Sequence, residues 1–490
     1  MTKLDLKSSS GLTRPEGGYV VGRGRAYVIF SVVSLALLMA SIDSTVVTVS
    51  LPAILKDLKT TLAFAGWTLT GYQFAQSIIM PIGGKLSDEW GRKRLFMAAV
   101  FLFTVSSIAA GLAPNIYFLI IFRITQGLGG GIFMPSATGI ISDTFGKRRN
   151  TFIGLFASIF PIGGILGPNL GGFIVDNFSW RWIFFINVPI GILLLILGTL
   201  ILPGTKSIFI SGRRIDLIGA GLFSGAVLLI LYGMTNWANN PGNAGILTWS
   251  LLGTGLVVLL AFIAHENRVP QPMIELTLLK WRPFLAANIY NFVFGAVVFG
   301  CFSFIPYYAT TAYGMTAGES GIILTPRAAA MIIVSALTSI FIIRFRYRLP
   351  MIVGIVTISV GLFLLSRGFH GASLYGLKIN DLVLLALLVS LGGIGMGIAN
   401  PAANNAALDL IPEKAAAVAG LRGMFRATGG VFGTAVIVLI LSHFPDKGYG
   451  MQQIFLYFSF ILLVLIPLVF MIPDTARARR ENTSKLSPGE

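Results

Sequence analysis

The chain of 490 residues has one cysteine, Cys301, and three histidines, His265, His370 and His443. A single cysteine excludes an intrachain disulfide framework and a thiolate metal cluster. The histidines fall near the ends of apolar runs or between them, which leaves no intramembrane imidazole site and no metal or cofactor site to expect. Charge is scarce too: 11% of the residues are charged, against roughly 25% in a soluble protein. Acids are the scarcer sign, 19 of them against 36 Lys and Arg. What takes their place is apolar, 55% of the residues with a mean hydropathy of +0.83. The chain therefore reads as an all-α polytopic membrane protein.

Apolar runs of spanning length recur near 26–49, 62–82, 95–112, 116–139, 152–174, 182–202, 215–234, 246–264, 283–308, 319–343, 349–366, 381–407, 417–441 and 452–472. Fourteen spans place both termini on one side, and the loop charges say which. The tails and the loops on their side hold 26 basic residues, among them Arg92, Lys93, Lys147, Arg213, Arg346, Lys414 and Arg479. The opposite loops hold six: Lys56, Lys59, Arg181, Arg367, Lys378 and Lys447. This bias predicts cytoplasmic termini in a cell-membrane protein. The net charge of +17 is thus a topology signal, and no nucleic-acid partner is expected. The first 25 residues are polar and basic, so no cleavable signal is expected either.

One acid breaks the first apolar run. Asp43 lies within Ala26–Val49, deeper in an apolar run than any other acid. A carboxylate there is costly unless it is paired or used, which makes it the first candidate for carrying a proton. Arg123 lies in span 4, and each of the two is about seven residues from the end of its span opposite the termini. At 1.5 Å per residue both sit roughly 10 Å deep, so a pair is expected. Arginine nearby favours the ionised carboxylate while burial favours the protonated one, a competition that lets a site load and release a proton. The competing reading is a static ion pair joining spans 1 and 4.

A shift of 266 residues aligns spans 4–5 with spans 12–13 without gaps. Gly127, Pro135, Asp143, Gly163, Gly164 and Gly167 meet Gly393, Pro401, Asp409, Gly429, Gly430 and Gly433. An offset of eight spans predicts two parallel six-helix repeats with spans 7–8 inserted between them. The expected division is a tail over 1–25, a six-helix bundle over 26–202, a two-helix linker with its loops over 203–282, a second bundle over 283–473 and a tail over 474–490. The offset partners of Asp43 and Arg123 are Ala309 and Val389, so proton chemistry is expected in the first half alone.

Five motifs carry a resemblance. After span 2 stands Gly84-Lys-Leu-Ser-Asp88-Glu-Trp-Gly91-Arg92-Lys93-Arg94, and span 4 holds Arg123-Ile-Thr-Gln126-Gly-Leu-Gly-Gly-Gly. Span 5 holds Gly163-Gly164-Ile-Leu-Gly167-Pro168-Asn-Leu-Gly171-Gly172. Span 1 continues from Asp43 as Ser-Thr-Val-Val-Thr-Val-Ser-Leu-Pro52, and span 6 opens with Trp180-Arg-Trp-Ile-Phe-Phe-Ile-Asn187-Val-Pro189, whose aromatics also suit a membrane-boundary belt. With these the chain closely resembles the major facilitator superfamily, in its fourteen-span drug:proton antiporter branch. The resemblance implies the major facilitator fold with 14 transmembrane helices, and proton coupling through Asp43 and Arg123. It implies a gate latch at Gly84, Asp88, Gly91, Arg92 and Lys93, and a hinge at Gly163, Gly164, Gly167, Pro168, Gly171 and Gly172. Proline removes a helix hydrogen bond and the glycines admit a close neighbour, so the span 5 segment reads as a bendable contact between the halves.

Gln73, Gln76, Gln126, Asn291, Glu319, Arg327 and Arg426 are weaker candidates for lining a substrate cavity. Arg422 and Arg426 suit a gate or a snorkelling role alike. Arg327 has Glu319 two turns away as a possible partner. The aromatics of span 9, from Tyr290 to Tyr308, suit stacking on a drug or plain packing. The expected activity is export of an amphipathic small molecule against proton entry, by a chain acting as a monomer within the bilayer. With Glu319 the one acid in the membrane region of the second half, neutral, zwitterionic or monocationic cargo is expected. The alternatives are a dedicated exporter of one metabolite, siderophore or self-made antibiotic and, more remotely, a transport-dead membrane receptor or scaffold. A membrane enzyme lacks its cluster of His and acids.

Overall fold

Prolines decide where the helices of this protein break. In the computed structural model, which describes residues 22–204, 216–371, 373–374, 377–411 and 415–474, five spans are interrupted. The interruptions fall at Ser158, Ile186, Phe304, Ile323 and Val464. Each lies two or three residues before a proline: Pro161, Pro189, Pro306, Pro326 and Pro467. Proline has no N–H for the preceding turn and its ring crowds the carbonyl there, so the helix restarts. Pro52, Pro81, Pro135, Pro168 and Pro401 instead lie inside unbroken helices.

The spans run Arg23–Asp57, Leu62–Trp90, Arg92–Gly111, Ile116–Phe145, Arg149–Asn177, Trp182–Ile201, Leu217–Asn239, Ile246–Glu266, Arg282–Tyr313, Ala317–Phe345, Arg348–Leu365, Asp381–Leu410, Ala415–Ser442 and Lys447–Met471. Thirteen are both long and apolar enough to cross a membrane. The other, Leu62–Trp90, is of spanning length but carries Thr68, Thr70, Gln73 and Gln76. Among the described residues the sole strands are Ser373–Leu374 and Leu377–Lys378, a small hairpin between spans 11 and 12. Span 1 runs on through Pro52 to Asp57, past the expected end near Val49, so Asp43 is farther from that helix end than the depth arithmetic gave.

The packing itself repeats. Span 1 lies along span 5, span 2 along span 4, span 3 along spans 4 and 6; eight spans on, 9 lies along 13, 10 along 12, and 11 along 12 and 14. Each half has its own apolar core, one around Phe96, Phe103 and Phe133, the other around Phe294, Ile355 and Phe455. Spans 7 and 8 pack together beside spans 2 and 13, with Trp67 Nε1 donating to Thr235 Oγ1 at 2.8 Å. At the linker's end Asp216 caps span 7 and meets His265 Nε2 at 3.0 Å. Burial opposes ionisation there, yet hydrogen bonds from Gly219 N–H and His265, with Lys85 nearby, hold Asp216 below the usual carboxylate range.

The basic tails with Lys3, Lys7, Arg14 and Arg477–Lys485, and the loop residues Lys206, Arg213, Arg214 and Lys414, lie outside the described residues. So do the side chains of Arg23, Asp88, Lys147, Arg344 and Lys378.

Candidate functional site

Asp43 is fully buried, with 0% exposure, and so is Arg123. The spans meet with Arg123 Nη1 2.6 Å from Asp43 Oδ2, a direct ion pair. Two amides complete the carboxylate's shell: Gln126 Nε2 and Asn187 Nδ2 each donate to Oδ1 at 2.8 Å. Gln126, one turn after Arg123, also accepts from Arg123 Nη1 at 2.6 Å and donates to Ser107 Oγ at 2.8 Å. Arg123 Nε donates to the Thr68 carbonyl at 2.9 Å, and its guanidinium lies 4.1 Å from the centre of the Tyr72 ring. Spans 1, 2, 4 and 6 therefore all touch one buried charge pair, and span 3 reaches it through Gln126. Arg123 Nη2 is buried without a hydrogen-bond partner among the described residues.

Gln126 thus sits on the charge pair, not on a cavity wall. Asn187 and Ser107 are the partners that sequence reasoning did not assign. The signal for Asn187 was a lone amide between Phe184 and the apolar run of span 6. Replacing it by leucine removes one of two neutral donors to a charged acceptor, and a loss on the order of 1.5–3 kcal/mol is expected. Thermal unfolding of Asn187→Leu beside Asn187→Asp checks this.

The glycines of span 4 let the helices approach. Side chains at Gly127 or Gly131 would strike the backbone of span 2 at Tyr72 or Gln76, and one at Gly129 would strike span 3 at Ala99.

In the span 2–3 turn, Gly91 adopts φ 93°, a conformation that favours glycine. Arg92 then reaches span 4, with Nη1 donating to the Gly139 carbonyl at 2.6 Å and meeting Asp143 Oδ1 at 2.5 Å. Lys93 Nζ donates to the carbonyls of Thr199 and Leu202 at 2.8 and 2.7 Å. Gly84 faces Pro135. In the second half Asp409, the repeat counterpart of Asp143, accepts from the Tyr347 hydroxyl at 2.6 Å.

In span 5 Pro168 lies inside a helix that runs unbroken from Ile159 to Asn177, and the interruption lies at Ser158. Its glycines are packed closely on two sides. Gly163, Gly167 and Gly171 face span 1 at Ser41, Thr45 and Val46, while Gly172 faces Ala317 and Gly318 of span 10. The Pro168 carbonyl approaches Gly321, and Gly164 has open space beside it. The same end carries polar contacts between the halves. Asn169 Nδ2 donates to Thr325 Oγ1 at 2.7 Å, and the N–H groups of Ala317 and Gly318 donate to the Asp176 carboxylate at 3.1 and 2.7 Å. These contacts lie toward the face opposite the basic loops.

Of the weaker candidates, Gln73 and Gln76 are partly exposed on span 2. Asn291 is buried and accepts from Arg422 Nε at 3.2 Å. Glu319 is exposed, closes a capping box with Thr316 and does not pair with Arg327. Its carboxylate accepts from the Thr316 N–H at that helix start at 2.9 Å. Arg327 lies over the Phe302 ring at 4.9 Å, and Arg426 over those of Phe294 and Phe299 at 5.7 and 5.0 Å.

Residues 33–208 and 287–488 match the sequence pattern of the Major Facilitator Superfamily. The chain is 31% identical to the multidrug transporter protein MdtP of Bacillus subtilis (strain 168) over 83% of its own length and 74% of that protein's. It is 30% identical to a tetracenomycin C resistance and export protein of Streptomyces glaucescens, over 87% and 78% of the two chains. Among solved structures, it matches a bacterial homolog of the human lysosomal transporter Spinster, inward-facing and occupied, with TM-score 0.67 and 16% identity, covering 92% of this chain and 97% of that one. A D-xylose–proton symporter matches at TM-score 0.61 and 14% identity, covering 92% and 98%. At such identities the likeness is one of fold.

Proposed function

The chain belongs to the Major Facilitator Superfamily, and from that membership we propose that it is a proton-coupled antiporter of the cell membrane, exporting amphipathic small molecules by alternating access. The export half of this reading draws on the curated relatives, whose names speak of multidrug transport and of antibiotic export. The proton half rests on one observation: a fully buried Asp43 held by Arg123, Gln126 and Asn187. Burial of a carboxylate inside a membrane protein favours its neutral form and a cationic partner its charged form, so a change in that contact as the helices move can load or release a proton.

In this reading Asp43 takes a proton when the outer side opens, which weakens its hold on Arg123 and frees the helices for the return. Arg123 keeps its charge and falls back on the Thr68 carbonyl, Gln126 and the Tyr72 ring. The span 5–10 contacts at Gly172, Asn169 and Asp176 form the outer gate, closed here, with the basic face toward the cytoplasm. Arg92 with Asp143 is the latch of the first half on the inner side, and the Tyr347–Asp409 contact is its counterpart. Each proton moved through 100 mV supplies about 2.3 kcal/mol, enough for a substantial concentration ratio.

The test is proton release from energised everted vesicles on addition of each of a panel of amphipathic dyes. Dye-dependent release is expected for several unrelated dyes. Release with no panel member, from folded protein in the membrane, contradicts broad export and favours a dedicated exporter of one compound.

A further inference from the structure

The two halves differ in how their buried charge is balanced. In the first, Asp43 and Arg123 cancel. In the second, Arg327, Arg422 and Arg426 have no carboxylate within 4.0 Å among the described residues. The described acids of that half are engaged elsewhere, at helix starts and loops: Glu319 with Thr316, Asp381 with Gly371, Asp409 with Tyr347, Asp446 with Gly448 and Asp474 with Tyr347.

We propose that the strip formed by these three arginines along span 9 binds an organic anion with an aromatic or otherwise apolar body, and that such anions are the cargo. This rests on the reading of the protein as an exporter and narrows the class of what it exports. It also departs from the sequence-based expectation of neutral, zwitterionic or monocationic cargo.

The arginines stand at successive levels of span 9. Arg422 is fixed by two amides, donating from Nε to Asn291 and from Nη1 to Asn404. Arg426 lies over Phe294 and Phe299, and Arg327 over Phe302. From Asn291 to Phe302 a helix rises about 16 Å, the length of an extended amphipathic molecule.

The polar accounting is incomplete at the upper two levels. Arg327 Nε and Arg426 Nε are buried without a partner among the described residues. Both residues are partly exposed, and the terminal nitrogens of Arg426 reach open space with no hydrogen bond to the described residues. Arg426 thus has a face on phenyl rings and an edge free, while Arg327 has a face on Phe302, an unpartnered Nε and an Nη1 that donates only to Met396 Sδ, a weak acceptor, at 3.9 Å. A carboxylate or sulfonate meets such an edge with two parallel hydrogen bonds, while an attached ring continues the aromatic wall. A cation would add a fourth like charge to a site of low dielectric.

An anionic cargo also changes the driving force. One proton entering against one monoanion leaving moves two elementary charges, whereas a monocation exchanged for one proton moves none. Because Asp43 has its own arginine in the other half, proton and cargo exclude one another through the conformation and not by sharing a group.

The experiment uses the purified full-length chain in lipid nanodiscs. Binding of 1-pyrenebutyrate, its primary amide and 1-pyrenebutylamine is followed by fluorescence anisotropy. The butyrate should bind at least about tenfold more tightly than either other probe. Arg327→Gln and Arg426→Gln should each weaken the butyrate about tenfold and leave the amide unchanged, with Lys in place of Arg recovering part. Should a Gln variant fail to fold, the three-probe series on the wild type still decides. Equal or tighter binding of the amide or amine overturns the inference. In proteoliposomes, selective butyrate binding and export without proton counterflow sinks the antiport reading and keeps this one. Proton-linked export of the amine, with no binding of the butyrate, does the reverse.

Discussion

Arg123→Ala should unfold at a markedly lower temperature than the wild type and export nothing. Arg123 and Asp43 have no exposed surface, so removing the guanidinium leaves a carboxylate with two amide donors and no countercharge. Breaking a buried pair in this way costs about 3–5 kcal/mol. The contact with the Tyr72 ring and the bond to the Thr68 carbonyl go at the same time. The double variant Arg123→Ala/Asp43→Asn removes the stranded charge and should recover a good part of that loss while remaining inactive. Thermal unfolding of the wild type, Arg123→Ala, Asp43→Asn and the double variant in one detergent gives the coupling between the two residues. A coupling near zero would mean that the contact is incidental to stability.

Gly172→Leu should leave each bundle folded and stop transport. A side chain at this position would meet the Ala317 carbonyl oxygen at 2.6 Å and Gly318 Cα at 2.7 Å, both backbone atoms of the other half. Backbone cannot move aside as a flexible side chain can, so the new group wedges the halves apart where Asn169 and Asp176 join them. Overpacking of this kind costs about 1–3 kcal/mol, which displaces the balance between closed and open forms by roughly five- to 150-fold. A cysteine placed at Thr325 reports the shift: it should be alkylated slowly in an otherwise wild-type protein and rapidly beside Gly172→Leu. Gly164, one turn and a half from the contact with span 10, has nothing near it, so Gly164→Ala serves as the control. Equal alkylation in both would remove the span 5–10 contact from the gating account.

How much of this was legible beforehand differs by level. Span number and the two-fold repeat are written in apolar runs and in glycine spacing, because a bilayer leaves helices few alternatives. The Asp43–Arg123 contact was also readable, since the two intramembrane charges of opposite sign in the first half have few other places to go. The rest of that site was hidden. Gln126, Asn187 and Ser107 reach Asp43 or its partners from spans 4, 6 and 3, and no spacing along the chain encodes which face of each helix meets span 1. Nor was it legible which proline interrupts span 5: the helix breaks at Ser158, before Pro161, and continues through Pro168. Glu319 looked like an intramembrane acid in the sequence, and the Thr-x-x-Glu spacing of a capping box was the overlooked signal.

The most direct test of the central claim is proton counterflow in proteoliposomes holding an internal pH dye, with a substrate gradient as the only driving force, for the wild type and for Asp43→Asn. Wild-type protein should move protons against substrate flux. Asp43→Asn keeps Arg123's contacts to Thr68, Gln126 and Tyr72 and mimics the protonated site, so it should fold and bind substrate while its proton signal falls to that of empty liposomes. Proton counterflow of wild-type size from the folded variant would make Asp43 a structural group and place the proton site elsewhere.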